Sequence, residues 1–229
     1  IDLRRPSCVT FSSNINDDLS RRDFTMNAVA YNSYSGILDP FNGINDINHS
    51  IIRSVGEPQV RFNENALRIM RAVRFSSQLG FDIEPQTKTA IHNLKNLLDN
   101  ISRERISSEL NKILLGKYSF NALTEFSDLI SQIIPESKLS IGFNQHTKYH
   151  IYDVWTHSAK AVSSATPKTV VKITMLLHDI GKPFCFKMDN NGCGHFYGHA
   201  AISAEIAKKT LRTLKYDNKT IHSVVELIK

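Results

Sequence analysis

Hydrophobic residues recur every three or four positions along most of the chain, which is the spacing of amphipathic helices. This spacing predicts helices at 17–31, 64–79, 86–98, 102–115, 119–130, 150–165, 168–180, 198–214 and 218–229. Short apolar runs beside turn-forming residues predict strands or turns at 9–11, 36–40 and 41–44. A linker and a loop are predicted at 135–142 and 181–197. The pattern therefore predicts a small α+β part followed by two groups of helices.

Composition supports a folded, mainly helical protein. The 10 glycines and 7 prolines among 229 residues argue against a disordered or turn-rich all-β chain, and 41% hydrophobic residues suffice for one large domain or two ordinary ones. Three cysteines without a disulfide-framework spacing fit a reducing compartment: Cys8, Cys185 and Cys193. No apolar run is long enough to span a bilayer, and no signal-peptide pattern opens the chain. We therefore expect a cytoplasmic protein with no membrane partner.

The charges are unevenly distributed. Lysine first occurs at Lys88, and the nine basic residues of the first 75 positions are all arginine, against eight acidic residues. Arginine favours bidentate hydrogen bonds to carboxylates, phosphates or base edges, although structural ion pairs would also explain the set. Most of the net charge of +6 lies in the later helices, and seven of the nine histidines lie between His146 and His222. This distribution predicts two regions with different chemistry.

The predicted helix 64–79 carries a regular set of arginines. They occur at three-residue intervals and drift slowly along one side of the helix: Arg68, Arg71 and Arg74. Apolar residues precede each of them and are predicted to be buried: Leu67, Met70 and Val73. Asn65 lies three residues before Arg68, hence beside it on the surface. An amide next to guanidinium groups could bind an anion and read a base edge, whereas the alternative is an amphipathic helix with an ion-paired face.

A second polar group precedes this helix. Arg22, Asp23 and Asn27 supply a donor, an acceptor and an amide within about one helical turn, a combination that suits a ribose and phosphates. Together with the segment 39–43 and the arginine helix, they give the chain a resemblance to the bacterial class II tRNA nucleotidyltransferases. That family comprises the CCA-adding enzymes and related poly(A) polymerases, and the resemblance covers about residues 3–130.

The resemblance implies a fold and a set of site residues. It implies the remnant of a nucleotidyltransferase α/β head followed by a helical neck and body. Family roles carry over to the ribose and phosphate contacts at Arg22, Asp23 and Asn27, and to the base-reading position of Arg68. Arg71 and Arg74 match the two arginines that follow in the family's helix motif. The implied partners are tRNA, CTP and ATP, with Mg²⁺ as the cofactor of nucleotidyl transfer.

Two departures from the family pattern affect function. Asn65 stands where the family has an aspartate, and an amide both donates and accepts. The resemblance therefore implies either weaker or relaxed base choice, or a divergent branch of the family. The family's Asp-x-Asp metal pair does not occur in residues 1–75, although two-metal transfer needs such carboxylates. We therefore expect the chain to be a fragment whose Mg²⁺ ligands lie outside it, inactive in transfer by itself although its parent protein is active.

The histidine-rich region contains a second motif. The run His-Asp-Ile-Gly-Lys at 178–182, with His157 before it, resembles the HD domain of metal-dependent phosphohydrolases. This resemblance implies a divalent metal, of undetermined identity, on His157, His178 and Asp179. His199 is a further candidate ligand, and His195 is a candidate ligand or phosphate contact. The resemblance also implies a last aspartate ligand, which is expected after Lys229, because Asp217 comes too early.

The remaining histidines of this region are predicted to be structural or surface residues: His146, His150 and His222.

These observations predict an α+β, mostly α, protein in three parts. They are the end of the head at 1–62, a helical neck and body at 63–135, and a truncated all-α HD domain at 146–229. The leading hypothesis is part of a tRNA CCA-adding enzyme that binds CTP or ATP and tRNA. Two alternatives stay open: a stand-alone metal-dependent phosphohydrolase, and a non-catalytic module that binds RNA or nucleotides. The oligomeric state is not predicted.

Overall fold

The computed structural model describes residues 14–147 and 151–229. The predicted strand at 9–11, Cys8 and His150 lie outside these ranges. Within them the protein is mostly helical, with three two-stranded sheets. The α+β, mostly α, fold class is therefore confirmed.

The N-terminal part combines short helices with short strands. Its elements are α1 (Ile15–Ser20), a 3-10 helix (Thr25–Asn27), β1 (Ala30–Asn32), β2 (Gly36–Leu38), α2 (Gly43–Asn48) and β3 (Ile51–Ile52). Strands β1 and β2 form an antiparallel hairpin, with Tyr31 opposite Ile37.

The predicted helix 17–31 is wrong beyond Ser20. Phe24 adopts an extended conformation and forms an antiparallel bridge with Ser54, while the backbone N–H of Thr25 donates to the Arg53 carbonyl at 2.9 Å. The Asp23 carboxylate also accepts the Phe24 N–H at 3.0 Å. Pairing with a distant segment therefore outweighs the local helical preference.

The predicted strand or turn at 41–44 is also corrected, because α2 begins at Gly43. The Asp39 carboxylate accepts the backbone N–H groups of Gly43 at 2.7 Å and of Ile44 at 2.9 Å. Capping of these otherwise unpaired donors starts the helix.

Six helices form the middle of the chain. They are α3 (Pro58–Glu64), α4 (Leu67–Leu79), α5 (Pro85–Leu94), α6 (Arg103–Leu114), α7 (Ser119–Glu125) and α8 (Ser127–Ile133). The short strand β4 (Asp82–Ile83) pairs in parallel with β3. The arginine helix begins at Leu67 rather than 64, and it ends as predicted before Gly80, whose φ of 75° permits the left-handed C-cap.

Three other predicted boundaries change. The predicted helix 86–98 becomes α5 followed by a 3-10 helix, Lys95–Asn100, and the predicted helix 119–130 is divided at Phe126. The predicted linker contains a 3-10 helix, Pro135–Ser140.

The last part is again helical. Its elements are α9 (Val154–Ser164), α10 (Thr169–Leu177), α11 (Lys182–Cys185), β5 (Lys187–Met188), β6 (Gly194–His195), α12 (His199–Thr213) and α13 (Asn218–Ile228). The predicted loop 181–197 thus holds a short helix and an antiparallel hairpin.

One apolar core joins the middle and last groups of helices. It runs from Phe24 and the buried face of α4 to Val224 on α13. Across the junction, the Trp155 indole N–H donates to the Leu123 carbonyl at 3.0 Å, and α7 packs against α9. The two groups therefore form a continuous packed body. Among the described residues, no helix has the length and apolar character needed to cross a membrane.

Candidate nucleotide cleft and metal site

An open cleft of ≈ 500 Å³ lies between the turn after α1 and the start of α4. Six of the seven predicted nucleotide-binding residues line it: Arg22, Asp23, Asn27, Asn65, Arg68 and Arg71. Arg21 and Phe75 complete the lining. Residues nearly 50 positions apart in the chain thus converge on one cavity rich in guanidinium and amide donors.

Asp23 is the anchor of the cleft. Its Oδ2 accepts from Arg71 Nε at 2.6 Å and lies 2.6 Å from Arg71 Nη2. Its Oδ1 accepts from Asn27 Nδ2 at 3.0 Å. Burial alone would raise the pKa of Asp23, but the Asn27 hydrogen bond and the charge and hydrogen bond of Arg71 outweigh it, so that pKa lies below its usual value. The carboxylate stays ionised and holds both donors in place.

Two arginines hold the backbone of the turn after α1. Arg68 Nη2 donates to the Arg21 carbonyl at 2.7 Å, and Arg61 Nη2 donates to the Arg22 carbonyl at 2.9 Å. Glu64 binds both guanidinium groups. The Arg22 side chain itself is about half exposed, and its guanidinium pairs with the exposed carboxylate of Asp18 at 2.7 Å. This side chain is therefore free to move onto a ligand at small cost.

Asn65 lies at the junction of α3 and α4 in an extended conformation. Its Oδ1 accepts the Leu67 N–H at 3.2 Å, so the side chain caps the start of the arginine helix. It lines the cleft together with Arg68, as the sequence spacing predicts. A carboxylate at this position could make the same capping bond, and the family's aspartate would differ mainly in charge and donor capacity.

Arg74 is placed differently from the other predicted residues. Its guanidinium carbon lies 4.0 Å from the Phe75 ring centroid, and Nη1 is 3.4 Å from Glu109 Oε2. It is buried and is not part of the cleft lining, because two further three-residue steps from Arg68 rotate it away. Its contact supports Phe75, which does line the cleft.

Sequence reasoning did not assign three residues of this site: Arg21, Arg61 and Phe75. Phe75 directly follows the last arginine of the helix motif, and this position could have identified it as a site residue. Arg61 acts on a backbone carbonyl 39 residues earlier in the chain, and no local pattern reports such a contact.

The predicted metal ligands also converge. His157 on α9, His178 at the end of α10 and Asp179 form a group whose donor atoms could hold one ion. The two histidine Nε2 atoms are 3.3 Å apart, and Asp179 Oδ2 lies 3.4 Å from His157 Nε2 and 3.3 Å from His178 Nε2. His178 Nδ1 lies 2.8 Å from the Met175 carbonyl, which leaves Nε2 on the side of the cluster.

The neighbouring residues complete this second site. Lys182 Nζ lies 2.8 Å from Asp179 Oδ2, and His199 Nε2 lies 3.4 Å from Asp179 Oδ1. Burial alone would lower the pKa of His178, but the hydrogen bond and charge of Asp179 raise it above its usual value. Burial opposes ionisation of Asp179 as well, yet His178 and Lys182 hold its pKa well below the usual range. Two imidazoles and an ionised carboxylate fit a divalent metal.

The other predicted histidines lie apart from this cluster. His195 pairs with Asp189 at 2.9 Å, and the His146 ring packs against Phe186 at 5.8 Å between centroids. His222 is exposed on α13. Asp217 caps α13 by accepting from Thr220, which is a structural role.

Two models of known protein families match the parts of the chain before and after the arginine helix. Residues 1–53 match the model of the Poly A polymerase head domain. Residues 80–138 match a model described as the probable RNA and SrmB-binding site of polymerase A. The resemblance predicted from the sequence is therefore confirmed for the head and the RNA-binding region.

Individual proteins similar in sequence to this chain are CCA-adding enzymes. The chain is 52% identical over 122 residues to a CCA-adding enzyme of Anoxybacillus flavithermus, and 50% identical over 123 residues to that of Bacillus subtilis. These matches cover 53% and 54% of this chain. They span only 31% of each relative's length.

A solved structure extends the likeness. The crystal structure of Bacillus stearothermophilus CCA-adding enzyme in complex with CTP superposes with a TM-score of 0.64 at 30% identity. It covers 96% of this chain and 47% of that enzyme's chain. The likeness in fold therefore includes both groups of helices.

Proposed function

We propose that the chain is the nucleotide- and RNA-binding part of a tRNA CCA-adding nucleotidyltransferase. The convergence of Arg22, Asp23, Asn27, Asn65, Arg68 and Arg71 on one cleft carries this proposal. The relatives named as CCA-adding enzymes, and the related structure whose title names CTP, support it. The longer protein would add CMP or AMP to the tRNA 3′ end in the cytoplasm.

The cleft offers complementary groups for each part of a nucleoside triphosphate. The exposed guanidinium of Arg22 and the Asp23-held guanidinium of Arg71 suit the phosphates, since arginine binds phosphate oxygens bidentately. Asn27, fixed by Asp23, suits a ribose hydroxyl. Asn65 and Arg68 lie side by side and suit a base edge. Phe75 adds an apolar ring to the lining.

The cleft does not fit the magnesium ions that nucleotidyl transfer requires. Among its lining residues in the described ranges, Asp23 is the one carboxylate, and Arg71 and Asn27 already occupy its oxygens. A two-metal centre needs a pair of carboxylates free to bind the ions. We therefore assign nucleotide binding, and no step of the transfer reaction, to these residues.

We assign tRNA binding to the helices beyond the cleft. Residues 80–138 match the RNA-binding model, and the excess of basic over acidic residues lies in the helices that follow this segment. Neutralisation of phosphates by lysine and arginine makes RNA affinity depend steeply on salt. The affinity of the 229-residue chain for tRNA should therefore fall strongly as the salt concentration rises.

Equilibrium binding of CTP and ATP to the 229-residue chain tests the cleft assignment. Arg22→Ala should weaken binding by about 10-fold or more, because one charge-assisted contact to phosphate is lost. Arg103→Ala on α6, which removes a surface arginine paired with Asp99 at 3.8 Å, is the matched control and should leave binding unchanged. Equal effects of the two substitutions, or wild-type binding after Arg22→Ala, would contradict the proposal.

The transfer activity requires a separate experiment on the longer protein. It consists of incubation with tRNA lacking its 3′ end and labelled CTP or ATP. We expect the label to be incorporated into tRNA. If it is not, the protein is a nucleotide-binding module without transferase activity.

A second function is favoured by the cluster on α9 and α10. We propose that residues 146–229 form an HD domain in which His157, His178 and Asp179 hold a divalent metal, with His199 beside them. When bound, such an ion polarises a phosphoryl oxygen and lowers the pKa of a bound water. Lys182, which is buried and held by Gln145 at 2.8 Å and by Asp179, places a positive charge beside these ligands.

Metal titration followed by calorimetry, together with hydrolysis of a 2′,3′-cyclic nucleotide, tests this domain. His178→Ala should remove metal binding at the His157, His178 and Asp179 cluster and any hydrolysis, whereas His222→Ala, on the exposed face of α13, should change neither. Metal binding without hydrolysis would indicate a structural site. Equal metal binding by the wild type and His178→Ala would reject the HD assignment.

A further inference from the structure

We propose a second metal site, selective for a thiophilic divalent ion such as Zn²⁺, at the tip of the β5–β6 hairpin. Its ligands are Asp189, Cys193 and His195, which bring one carboxylate, one thiol and one imidazole within 4.8 Å of one another. None of these residues belongs to the His157, His178 and Asp179 cluster.

The hairpin loop presents the carboxylate in a fixed position. Asp189 Oδ1 accepts the backbone N–H groups of Asn191 and Cys193, both at 2.9 Å, while the Asp189 N–H donates to the Cys193 carbonyl at 3.0 Å. One carboxylate oxygen thus organises the loop and leaves Oδ2 for other contacts. That atom lies 2.9 Å from His195 Nε2.

The imidazole is oriented from its other side. His195 Nδ1 lies 3.4 Å from the Tyr197 hydroxyl, and the two rings stack with centroids 5.4 Å apart. A hydrogen bond to one ring nitrogen fixes the tautomer and frees the other nitrogen for a metal, as is usual for metal-binding histidines. Nε2 therefore faces Asp189 and the Cys193 side of the hairpin.

The thiol decides which ion fits the set. Cys193 is a free, half-buried cysteine. Without it, Asp189 and His195 would be an ordinary hydrogen-bonded pair closing a hairpin. Thiolate, imidazole and carboxylate together favour zinc or cobalt over magnesium and calcium, which prefer oxygen ligands. Three protein ligands leave one tetrahedral position for water. About a third of the Asp189 side chain is exposed, so an ion reaches the site without unfolding of the hairpin.

A bound ion would brace a segment that matters to the neighbouring site. The hairpin leads through Gly198 into α12, whose first residue is His199, 3.4 Å from Asp179. The inference does not depend on nucleotide binding or transfer, and its failure would leave those proposals unchanged.

Cobalt titration of the reduced 229-residue chain tests the site. A thiolate ligand produces a sulfur-to-cobalt charge-transfer band in the near ultraviolet, which a site built only from histidine and aspartate cannot produce. We expect one equivalent of this band, displaced by Zn²⁺. It should disappear in Cys193→Ser and persist in the control variants Cys8→Ser, Cys185→Ser and His178→Ala.

The remaining ligands are tested by affinity. His195→Ala and Asp189→Asn should each weaken Zn²⁺ binding at the cysteine site by about 10-fold or more. Asparagine keeps the Oδ1 acceptor that organises the loop, so Asp189→Asn separates metal binding from folding of the hairpin. Absence of the band in the wild-type chain, or its persistence in Cys193→Ser, would overturn the proposal. Unchanged zinc affinity in both His195→Ala and Asp189→Asn would do the same.

Discussion

Single residues decide the chemistry of the candidate nucleotide cleft. Asp23 accepts hydrogen bonds from Arg71, from Asn27 and from the backbone N–H of Phe24. It thereby holds the Arg71 and Asn27 side chains in fixed positions. Asn65 caps α4 with the same side chain that lines the cleft. Each residue therefore has a structural role beside the recognition role that we propose for it, and substitutions must separate the two.

Asn65→Asp is expected to sharpen base choice. A carboxylate keeps the capping bond to the Leu67 N–H but accepts only, with a charge-assisted gain of about 1 kcal/mol toward the amino groups of cytosine and adenine. Affinity for CTP and ATP relative to UTP should rise by about 5-fold. Competition binding measures this ratio. Asn63→Asp adds the same charge two positions away and is the control, which should leave the ratio unchanged. An unchanged ratio in Asn65→Asp would show that Asn65 does not read the base.

The Asp23 carboxylate should make stability depend on acid pH. Its pKa in the folded protein is below the ordinary value of 3.8, so the unfolded chain takes up a proton first as the pH falls. The contribution of Asp23 to the free energy of unfolding is therefore present above about pH 4 and is lost as the pH falls through the lower folded pKa.

Asp23→Asn should lower the free energy of unfolding at pH 7 by about 1–3 kcal/mol and flatten its decline in acid. Denaturant titrations at several pH values measure both effects. Asp18→Asn, which removes the exposed partner of Arg22, should cost less than about 1 kcal/mol. Parallel pH profiles for the wild type and Asp23→Asn would show that Asp23 is not the responsible group.

At the scale of elements, helix ends and junctions place the site. The α3–α4 junction allows Arg61 and Arg68 to reach the carbonyls of Arg22 and Arg21, and the sharp end of α4 at Gly80 directs the chain into β4. Gly80 has a φ of 75°, and an added Cβ would lie 2.7 Å from the Tyr118 ring. Both backbone conformation and close packing therefore require glycine there.

Gly80→Ala is expected to lower the free energy of unfolding by about 2–4 kcal/mol, combining left-handed strain with displacement of the Tyr118 ring. Gly56→Ala provides the control, because Gly56 has a φ of 71° and nothing within 4 Å of an added Cβ. It should cost only about 1–2 kcal/mol, the left-handed strain alone. Chemical denaturation compares the two variants, and equal losses would show that the Tyr118 contact adds nothing.

Periodicity predicted most helices of this protein but not their interruptions. The buried face of α4 at Leu67, Met70 and Val73 is as expected, because helical spacing alone determines which side chains share a face. The end of α1 and the division at Phe126 were not predicted. The bridge from Phe24 to Ser54 shows the reason at α1, since its partner is 30 residues away. Local patterns carry no information about such partners.

At the scale of the whole molecule, the shared core couples the two groups of helices. Trp155 packs into the core and donates across it to Leu123, and Tyr216 donates to Asn111 at 2.6 Å, 105 residues earlier in the chain. Such contacts make it costly to unfold one group of helices alone, because the apolar face of the remaining group would then be exposed to water.

We expect the described body to unfold in one cooperative transition. The single tryptophan, Trp155, lies at the junction and reports local exposure by fluorescence, while far-ultraviolet circular dichroism reports all helices. The two denaturation curves should coincide. Trp155→Phe should lower the free energy of unfolding by about 1–3 kcal/mol, because the Leu123 carbonyl loses its donor. Curves with different midpoints would indicate two independently unfolding parts.

The sequence alone determined which residue types were available and which side of each long helix is apolar. It therefore pointed to the arginine helix, the Arg22–Asn27 segment and the His178–Asp179 pair, because helical spacing and paired chemistry are local properties. Only the tertiary structure decided that Arg74 supports Phe75 instead of lining the cleft, and that His195 pairs with Asp189 instead of Asp179. Those outcomes depend on packing between segments distant in the chain, which no local pattern encodes.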